Sequence, residues 1–236
     1  MGRGRALLAA LAGGTLALTG CAQLPWAPAT PSEAPATTSS APELPTIAAM
    51  VKTKTPSILN GTVPTTVIYE VPEDVAVVAT LDCATCTGAV TLSSNASRKP
   101  LLSAKKAPAY AEFLISRLRY ERSGTLTVEA SGPWTLTLAS WKDLPAVADV
   151  PEVVKGARVL RLSGKSQEEY EVTFRPADKD DQLAISTFPM PKTNTGVDLK
   201  FAKEPEMPIT LPGGAVVAVS TRGKWSLTRV VTTPVA

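Results

Sequence analysis

One sequence pattern occurs twice in this chain and constrains its fold more than any other feature. Residues 124–138 read G-T-L-T-V-E-A-S-G-P-W-T-L-T-L, and residues 215–229, A-V-V-A-V-S-T-R-G-K-W-S-L-T-R, align with them without gaps. Apolar side chains alternate with Thr and Glu on both sides of the Gly-Pro pair, which predicts a β-hairpin with one buried face. The chain therefore contains an internal repeat of strand-rich units. The matched positions include Gly132 with Gly223 and Trp134 with Trp225.

A second pair of matching segments places the start of each unit. Val71-Pro72-Glu73 recurs as Val150-Pro151-Glu152, and an apolar, strand-like run follows each copy. These runs are residues 75–81 and 157–162, so that Leu81 aligns with Leu162. The correspondence predicts two tandem domains, at residues 47–149, with an N-terminal lead-in, and at residues 150–236.

Further short strands are predicted between turns rich in Pro and Gly. A short helix is predicted only around residues 46–52. Many short strands at this spacing favour an all-β protein with one antiparallel β-sandwich per domain. The additional predicted strands are residues 87–93, 109–116, 169–175, 182–188 and 196–202.

The order of these elements also resembles a known kind of domain. A strand, a tight turn, a second strand and the aromatic-containing strand Y-A-E-F-L-I (residues 110–115) precede the G-x-L-x-V-x-A-x-G-P-W-T-L-T-L pattern. This is similar to the small jelly-roll-like β-sandwich domains of exported bacterial surface proteins and lipoproteins. The resemblance covers most of the first unit, whereas the second keeps the G-x-W pattern and departs in the middle. It implies a fold and an envelope setting, and it supplies no catalytic residue.

The N-terminus carries the features of an export signal. Arg3 and Arg5 precede an apolar run at residues 6–18, which is too short to span a bilayer as a helix. The run ends in L-T-G-C, which resembles the bacterial lipobox. The resemblance implies that residues 1–20 are a signal peptide and that Cys21 becomes the acylated N-terminus, anchored to the extracytoplasmic side of the cell membrane. An ordinary secretory signal that contains a cysteine is the alternative.

Composition separates the segment that follows from the rest of the chain. Residues 22–45 consist mainly of Pro, Ala, Thr and Ser, with Glu33 and Glu43 as their charges, so residues 21–46 are predicted to form a lipidated, disordered tether. The chain has 24 Lys and Arg against 21 Asp and Glu, and removal of Arg3 and Arg5 leaves a net charge of 24 − 2 − 21, or +1. No basic block that would follow phosphates stands out, so nucleic acid is not an expected partner.

The absence of histidine limits the chemistry that is available. It excludes Ser-His and Cys-His nucleophile pairs and every metal site that needs histidine. Ser163-Gly164-Lys165 falls where a turn is predicted, so Ser-Lys catalysis is not expected there. Asp178, Asp180 and Asp181 lack the spacing of an EF-hand loop, and we interpret them as a solvated turn. No metal or cofactor is expected.

Cys83 and Cys86 form a CxxC between two strand-like runs. Zinc needs four ligands, and a thioredoxin-like site needs a helix after the motif, whereas strand-like residues follow here. Alignment of Leu81 with Leu162 places C-A-T-C opposite residues 164–167, G-K-S-Q, where the second domain makes its turn without sulfur. We therefore interpret the pair as a disulfide across a hairpin turn, and a redox site remains the alternative.

The aromatic residues divide into two groups. Trp134 and Trp225 occupy equivalent positions on the apolar phase, so both are predicted to fill the cores. Trp141 either closes the first core or lies between the domains. Stacking on a carbohydrate by Trp141, Tyr110 or Tyr120 is an open alternative.

These observations together predict a lipoprotein that is not an enzyme. Its expected role is binding, scaffolding or assembly in the cell envelope, with the membrane as one partner and an envelope protein or cell-wall glycan as another. The alternatives are an extracytoplasmic thiol-disulfide protein that uses Cys83 and Cys86, and a glycan-binding module.

Overall fold

The computed structural model describes residues 43–73, 75–115, 121–189, 197–201 and 208–231. The predictions for the signal peptide, Cys21, Tyr120 and all of the tether before Glu43 lie outside these residues. Residues from Pro42 onwards form one compact unit. Within the described residues, no helix has the length and apolar character needed to cross a membrane.

Nine described strands build the first β-sandwich, and they lie in two sheets. Sheet I has the strand order β1-β3-β8-β5-β6, and sheet II has the order β2-β9-β4-β7. A 3₁₀ turn at Trp141–Asp143 leads out of the sandwich. The strands are β1 (Thr46–Met50), β2 (Ser57–Gly61), β3 (Thr65–Glu70), β4 (Val77–Cys83), β5 (Thr87–Ser94), β6 (Leu102–Ala104), β7 (Ala109–Ile115), β8 (Ser123–Ser131) and β9 (Trp134–Ser140).

The second β-sandwich also consists of nine described strands in two sheets. Sheet III has the order β10-β12-β17-β14-β15, and sheet IV has the order β11-β18-β13-β16. The strands are β10 (Ala146–Val147), β11 (Val150–Lys155), β12 (Arg158–Leu162), β13 (Gln167–Arg175), β14 (Leu183–Phe188), β15 (Val197–Phe201), β16 (Ile209–Pro212), β17 (Val216–Ser220) and β18 (Lys224–Arg229). β10 pairs with β12, so the sheets of the second sandwich begin four residues before residue 150.

The two sandwiches have the same topology, strand for strand. Adding nine to each strand number turns the order of sheet I into that of sheet III, and the order of sheet II into that of sheet IV. Even the parallel pair is repeated, since β1 runs parallel to β3 and β10 runs parallel to β12. The other strand pairs of the four sheets are antiparallel. The predicted all-β fold with two tandem sandwiches is confirmed.

The predicted hairpins are wrong. β8 pairs with β3 and β5 in sheet I, whereas β9 pairs with β2 and β4 in sheet II. The turn at Gly132 therefore carries the chain from one sheet to the other, and its positive φ of 95° favours glycine there. A corner between sheets produces the same alternation as a hairpin, because both strands turn their apolar residues towards one core.

Two other predictions also need correction. Val71-Pro72-Glu73 follows β3, but Val150-Pro151-Glu152 lies in β11, the equivalent of β2. The run at residues 75–81 therefore corresponds to β13 and not to residues 157–162. The helix predicted at residues 46–52 is wrong as well, since Thr46–Met50 is a strand that binds the edge of β3. Tertiary pairing decides this short segment, whose own sequence preference is weak.

Each sandwich encloses an apolar core between its sheets, and a third apolar cluster lies between the sandwiches. Leu81, Leu92 and Leu136 are fully buried in the first core, and Tyr170, Ile185 and Leu227 in the second. The third cluster joins the outer face of sheet II to the outer face of sheet III. We call this third cluster the seam. Its buried members are Ala76, Val78, Leu114, Val159, Phe188 and Val216.

Candidate functional site

The CxxC motif forms the corner between β4 and β5. Cys83 ends β4 in sheet II, and β5 in sheet I begins directly after Cys86. The two residues are joined by a disulfide, with their Cα atoms 5.1 Å apart. The Asp82 carboxylate tightens the turn by accepting a hydrogen bond from the Ala84 N–H at 3.0 Å. The bridge therefore spans a corner between sheets and not, as predicted, a hairpin turn.

This corner packs against the turn between β8 and β9, which also crosses from one sheet to the other. The Cys86 Sγ atom lies 3.2 Å from the Pro133 carbonyl oxygen. A Cβ atom at Gly132 would lie 3.3 Å from both the Cys86 Cα atom and the Thr85 carbonyl oxygen, so glycine permits the close approach. We call residues 82–87 together with residues 131–134 the disulfide corner. The two turns close one end of the first sandwich.

The disulfide corner has neither feature of a reactive CxxC. Cys83 is completely buried and Cys86 is 8% exposed, so an attacking thiolate has little access to either sulfur atom. The residues that follow form β5, so no helix N-terminus is present to lower a thiol pKa. The geometry is that of a structural bridge.

The second sandwich makes the equivalent connection, between β13 and β14, with an aspartate. Asp181 is only 5% exposed, although we predicted a solvated turn. Its carboxylate accepts hydrogen bonds from the Ala177 N–H at 2.9 Å, the Thr221 hydroxyl at 3.0 Å and the Arg222 N–H at 3.1 Å. These donors tie the β13–β14 turn to the β17–β18 turn. We call residues 176–182 together with residues 221–223 the acid corner.

The electrostatics of Asp181 follow from these contacts. Burial alone raises the pKa of its carboxyl, but the hydrogen bonds from Ala177, Arg222 and Thr221 outweigh burial and hold the pKa below its ordinary value. The Arg222 guanidinium adds an ion pair at 3.8 Å. Asp181 is therefore a buried anion whose charge is balanced within the fold.

The acid corner is not arranged to bind a metal ion. Asp178 is exposed and pairs with the Arg222 guanidinium at 2.8 Å, and it also accepts the Asp180 N–H. Asp181 already has three hydrogen-bond donors, so few of its lone pairs are left for a cation. Across the part of the chain that the structure describes, no three His, Cys, Asp or Glu side chains come together as metal ligands.

The two repeated tryptophans are core residues with matching hydrogen bonds. Trp134 is 2% exposed and Trp225 is 1% exposed. The Trp134 Nε1–H donates to the Val63 carbonyl oxygen at 3.1 Å, and the Trp225 Nε1–H donates to the Gly156 carbonyl oxygen at 2.9 Å. Val63 and Gly156 lie in equivalent loops, before β3 and before β12. Each indole thus fastens the loop before the third strand of its sandwich.

Ser163 and Lys165 lie in the turn between β12 and β13. The Ser163 N–H donates to the Val147 carbonyl oxygen, and Gly164 takes a positive φ of 97°. The turn packs against Gly213, whose N–H donates to the Ser166 carbonyl oxygen at 2.7 Å. Lys165 is exposed. G-K-S-Q is therefore equivalent to the connection between β3 and β4, and the alignment that placed it opposite C-A-T-C was wrong.

The seam holds Trp141 at its edge. This residue is half-buried and packs against both the first core and the seam, which combines the two positions predicted for it. The Arg161 guanidinium lies 5.8 Å from its ring centre. No hydrogen-bond acceptor for Trp141 Nε1 occurs among the described residues, although that atom is buried. Trp141 thus joins the two sandwiches through apolar contact.

A polar group completes the seam at β7. The Glu112 N–H donates to the Ala157 carbonyl oxygen at 3.1 Å, and the Glu112 carboxylate accepts the Val159 N–H at 3.0 Å. The Tyr110 hydroxyl donates to the same carboxylate at 2.7 Å, and the Arg158 guanidinium lies 4.2 Å above the Tyr110 ring. Burial, with the Glu112 carboxylate, raises the pKa of Tyr110 to about 12. Arg158 thus covers one face of the ring that we considered for carbohydrate stacking.

Comparisons with known proteins add no family. No family model matches the chain, and no curated protein matches it. Among solved structures, the CUB1-EGF-CUB2 domains of rat MASP-1 align over 76% of this chain and 99% of their own, with 7% identity and a TM-score of 0.25. Bacteroides uniformis beta-glucuronidase aligns over 74% of this chain with 15% identity and a TM-score of 0.22, and this chain spans 21% of it. A calcium-binding mutant of Bacteroides uniformis beta-glucuronidase 2 aligns over 75% of this chain and 22% of its own, with 13% identity and a TM-score of 0.23.

Proposed function

We propose that this protein is a lipid-anchored lipoprotein of the extracytoplasmic membrane surface, and that its two sandwiches serve a non-enzymatic role in binding, scaffolding or envelope assembly. The observation that carries the proposal is the N-terminal order of Arg3 and Arg5, an apolar run and L-T-G-C at residues 18–21. An acylated Cys21 would hold the protein at the membrane, because each buried lipid CH₂ contributes about 0.8 kcal/mol.

The described residues support a role that does not involve catalysis. The chain has no histidine, both sulfur atoms of the CxxC are buried in a corner, and the oxygens of the Asp181 carboxylate are occupied by donors. The CxxC and Asp181 thus each serve to hold two turns together. The seam joins the two sandwiches into one unit. Such a unit suits a scaffolding protein, because the binding surfaces of the two sandwiches keep a fixed spacing.

The anchor is tested by comparing the wild-type protein with Cys21→Ala after expression in a bacterial host. We expect the wild type to partition into a detergent phase, with a Cys21 peptide whose mass is raised by a diacylglyceryl group and further acyl chains. Cys21→Ala should stay in the aqueous phase after export. Cys83→Ala is the matched control, because it removes a cysteine and leaves the lipobox intact. Equal partitioning of wild type and Cys21→Ala would refute the anchor.

The binding role is tested by capture of the lipidated protein from its own envelope after cross-linking, with partners identified by mass spectrometry. We expect an envelope protein or a wall fragment that is absent from captures with an unrelated lipoprotein. A thiol-disulfide activity would contradict the proposal, and an insulin-reduction assay on wild type and Cys83→Ser measures it directly.

A further inference from the structure

A strip of positive charge lies along one edge of the first sandwich. The chain contains no carboxylate between Asp82 and Glu112, but it contains four basic residues there. They come as two pairs, Arg98-Lys99 and Lys105-Lys106, separated in sequence by a stretch with several apolar residues. The sequence therefore shows no continuous basic block, and the two pairs lie at opposite ends of the short strand between them.

Both pairs flank β6, the edge strand of sheet I. The Leu101 N–H donates to the Leu92 carbonyl oxygen, and the Ala107 N–H donates to the Gly88 carbonyl oxygen, each at 2.8 Å. These bonds fix the loops at the two ends of the strand. Apolar residues around β6 pack against the first core and leave the four basic side chains exposed. We call Arg98, Lys99, Lys105 and Lys106 the basic edge.

The charge of the basic edge is not balanced by neighbours. None of its four side chains has an ion pair with any residue that the structure describes. The Glu129 carboxylate lies on β8, on the far side of β5, where Glu129 pairs with Thr91. Four cations that have no ion-pair partner among the described residues, in the loops at the two ends of a three-residue strand, make a site for a surface of opposite charge.

We propose that the basic edge binds the anionic phospholipid headgroups of the membrane that carries the anchor. This inference rests on the proposed lipidation of Cys21. Residues 21 to 43 can span at most about 75 Å when fully extended. The width of sheet I from β1 to β6 adds only about 19 Å, so the edge can reach the bilayer.

Lipidation also makes a weak surface effective. An anchored protein stays within the length of its connection from the bilayer, so contact by the basic edge becomes an intramolecular event at high effective concentration. Attraction between basic side chains and anionic lipids falls off within a Debye length, about 8 Å at physiological salt. The interaction therefore orients the first sandwich with the β6 edge of sheet I on the membrane.

The test uses the mature chain from residue 21 with Cys21→Ser, which carries no lipid, so the basic edge is measured without the anchor. Flotation with vesicles of phosphatidylcholine alone is compared with flotation on vesicles that contain about 40% phosphatidylglycerol at low salt. The charge-reversed variant is Lys105→Glu with Lys106→Glu. The matched control is Lys179→Glu with Lys224→Glu, which makes the same change of net charge at exposed lysines of the second sandwich.

We expect binding only to the anionic vesicles, a loss of about tenfold or more in partitioning for the Lys105/Lys106 variant, and a change of less than about twofold for the control. Equal losses in both variants would show an effect of net charge and would overturn the proposal. Absence of wild-type binding to anionic vesicles would overturn it too.

Lysines also protect edge strands from pairing with other chains. A variant that aggregates while its vesicle binding is unchanged would assign the basic edge to that role instead. A failure of the proposed anchor would be recognised separately. It would appear as a Cys21 peptide without lipid in the mass measurement, whatever the result of the vesicle flotation.

Discussion

The two sandwiches share one topology but close the same corner with different chemistry. In the first sandwich a disulfide between Cys83 and Cys86 shapes the turn that packs on Gly132. In the second, the buried Asp181 carboxylate accepts hydrogen bonds from both turns and lies beside Gly223. The fold requires a close approach between the two turns, and glycine on one side provides it in both copies. The bond that holds the other side is free to vary.

The outer faces of the equivalent sheets differ just as clearly. Strand register makes Val78 and Leu114 of sheet II equivalent to Glu169 and Thr210 of sheet IV. The first pair lies buried in the seam, and the second pair is exposed. At these two positions the apolar side chains occur in the copy of the face that the other sandwich covers.

Sheets I and III show the same difference between a covered and an uncovered face, but here the covered face belongs to the second sandwich. Val159, Val216 and Phe188 of sheet III lie in the seam, and their equivalents in sheet I are Thr66, Thr125 and Asn95. A head-to-tail contact of this kind would build a longer array if the free faces were also apolar. The polar residues at these three positions of sheet I disfavour such a contact.

The largest effect is expected where this difference between faces is removed. Val78→Glu places in the seam the residue type found at the equivalent exposed position of sheet IV. A buried charge without a partner should lower the free energy of unfolding by about 3–5 kcal/mol, or open the seam. Chemical denaturation measures the loss, and hydrogen exchange at the Glu112 and Val159 amides measures the opening.

Thr80→Lys is the matched control for the seam. A lysine is used because Thr80 lies opposite Glu112 in the β4–β7 pair, where a glutamate would add a like charge. Thr80 lies two residues further along β4 on the same face, outside the seam, and register makes it equivalent to Glu171. We expect a change within about 0.5 kcal/mol. Equal destabilisation by the two substitutions would show that the seam does not distinguish the faces.

The second largest effect is expected at the acid corner. Asp181→Ala removes the acceptor for the N–H groups of Ala177 and Arg222 and for the Thr221 hydroxyl. Leaving these buried donors unpaired should cost about 3 kcal/mol of unfolding free energy, with faster hydrogen exchange in β13 and β14 than in the first sandwich. The control is Asp180→Ala, since Asp180 is exposed, and it should change stability by less than about 0.5 kcal/mol. If the two variants behave alike, Asp181 does not hold the corner.

The sequence predicted the strands and the repeat better than it predicted their partners. The gapless match of residues 124–138 with residues 215–229 identified two equivalent strand pairs correctly. Pairing within a sheet and crossing between sheets give the same alternation of apolar residues, so the predicted hairpins were wrong. The three-residue V-P-E match fell at non-equivalent places, after β3 in one copy and within β11 in the other, and this shifted the alignment of the CxxC by one connection.

Asp181 was missed for a related physical reason. Its neighbours Asp178 and Asp180 are exposed, and nothing in A-D-K-D-D marks which carboxylate is buried. The donors to Asp181 include groups from Thr221 and Arg222, about forty residues away. A correct alignment of the two copies would have supplied a signal, because it places the acidic turn opposite C-A-T-C.

The third effect concerns the disulfide corner. Cys83→Ala with Cys86→Ala removes a bridge that closes a very short loop, and the chain-entropy estimate for such a loop is about 2 kcal/mol. We expect a loss of that size, with faster hydrogen exchange in β4 and β5 and little change in β13 and β14. Reduction of the wild type should produce the same change without any substitution. A loss spread evenly over both sandwiches would mean that the corners are not independent.

The smallest expected effect is a difference between the two corners in how their contribution to stability depends on pH. Because the folded-state pKa of Asp181 lies below its ordinary value, its contribution to stability is fully present above the unfolded pKa of about 3.9 and is lost as the pH falls through the folded pKa. The disulfide does not titrate in this range. Wild type should therefore lose more stability than Asp181→Ala between pH 5 and pH 2, as measured by denaturation at each pH. Only the charge is removed by acid, so this difference should be smaller than the cost of the substitution at pH 7.

The comparison of the two proteins is its own control. Subtracting one pH profile of stability from the other cancels the contribution of other carboxyl groups, such as Glu73, whose pKa is lowered by its hydrogen bond from Thr53. Parallel profiles would show that the hydrogen bonds at the acid corner do not depend on the Asp181 charge.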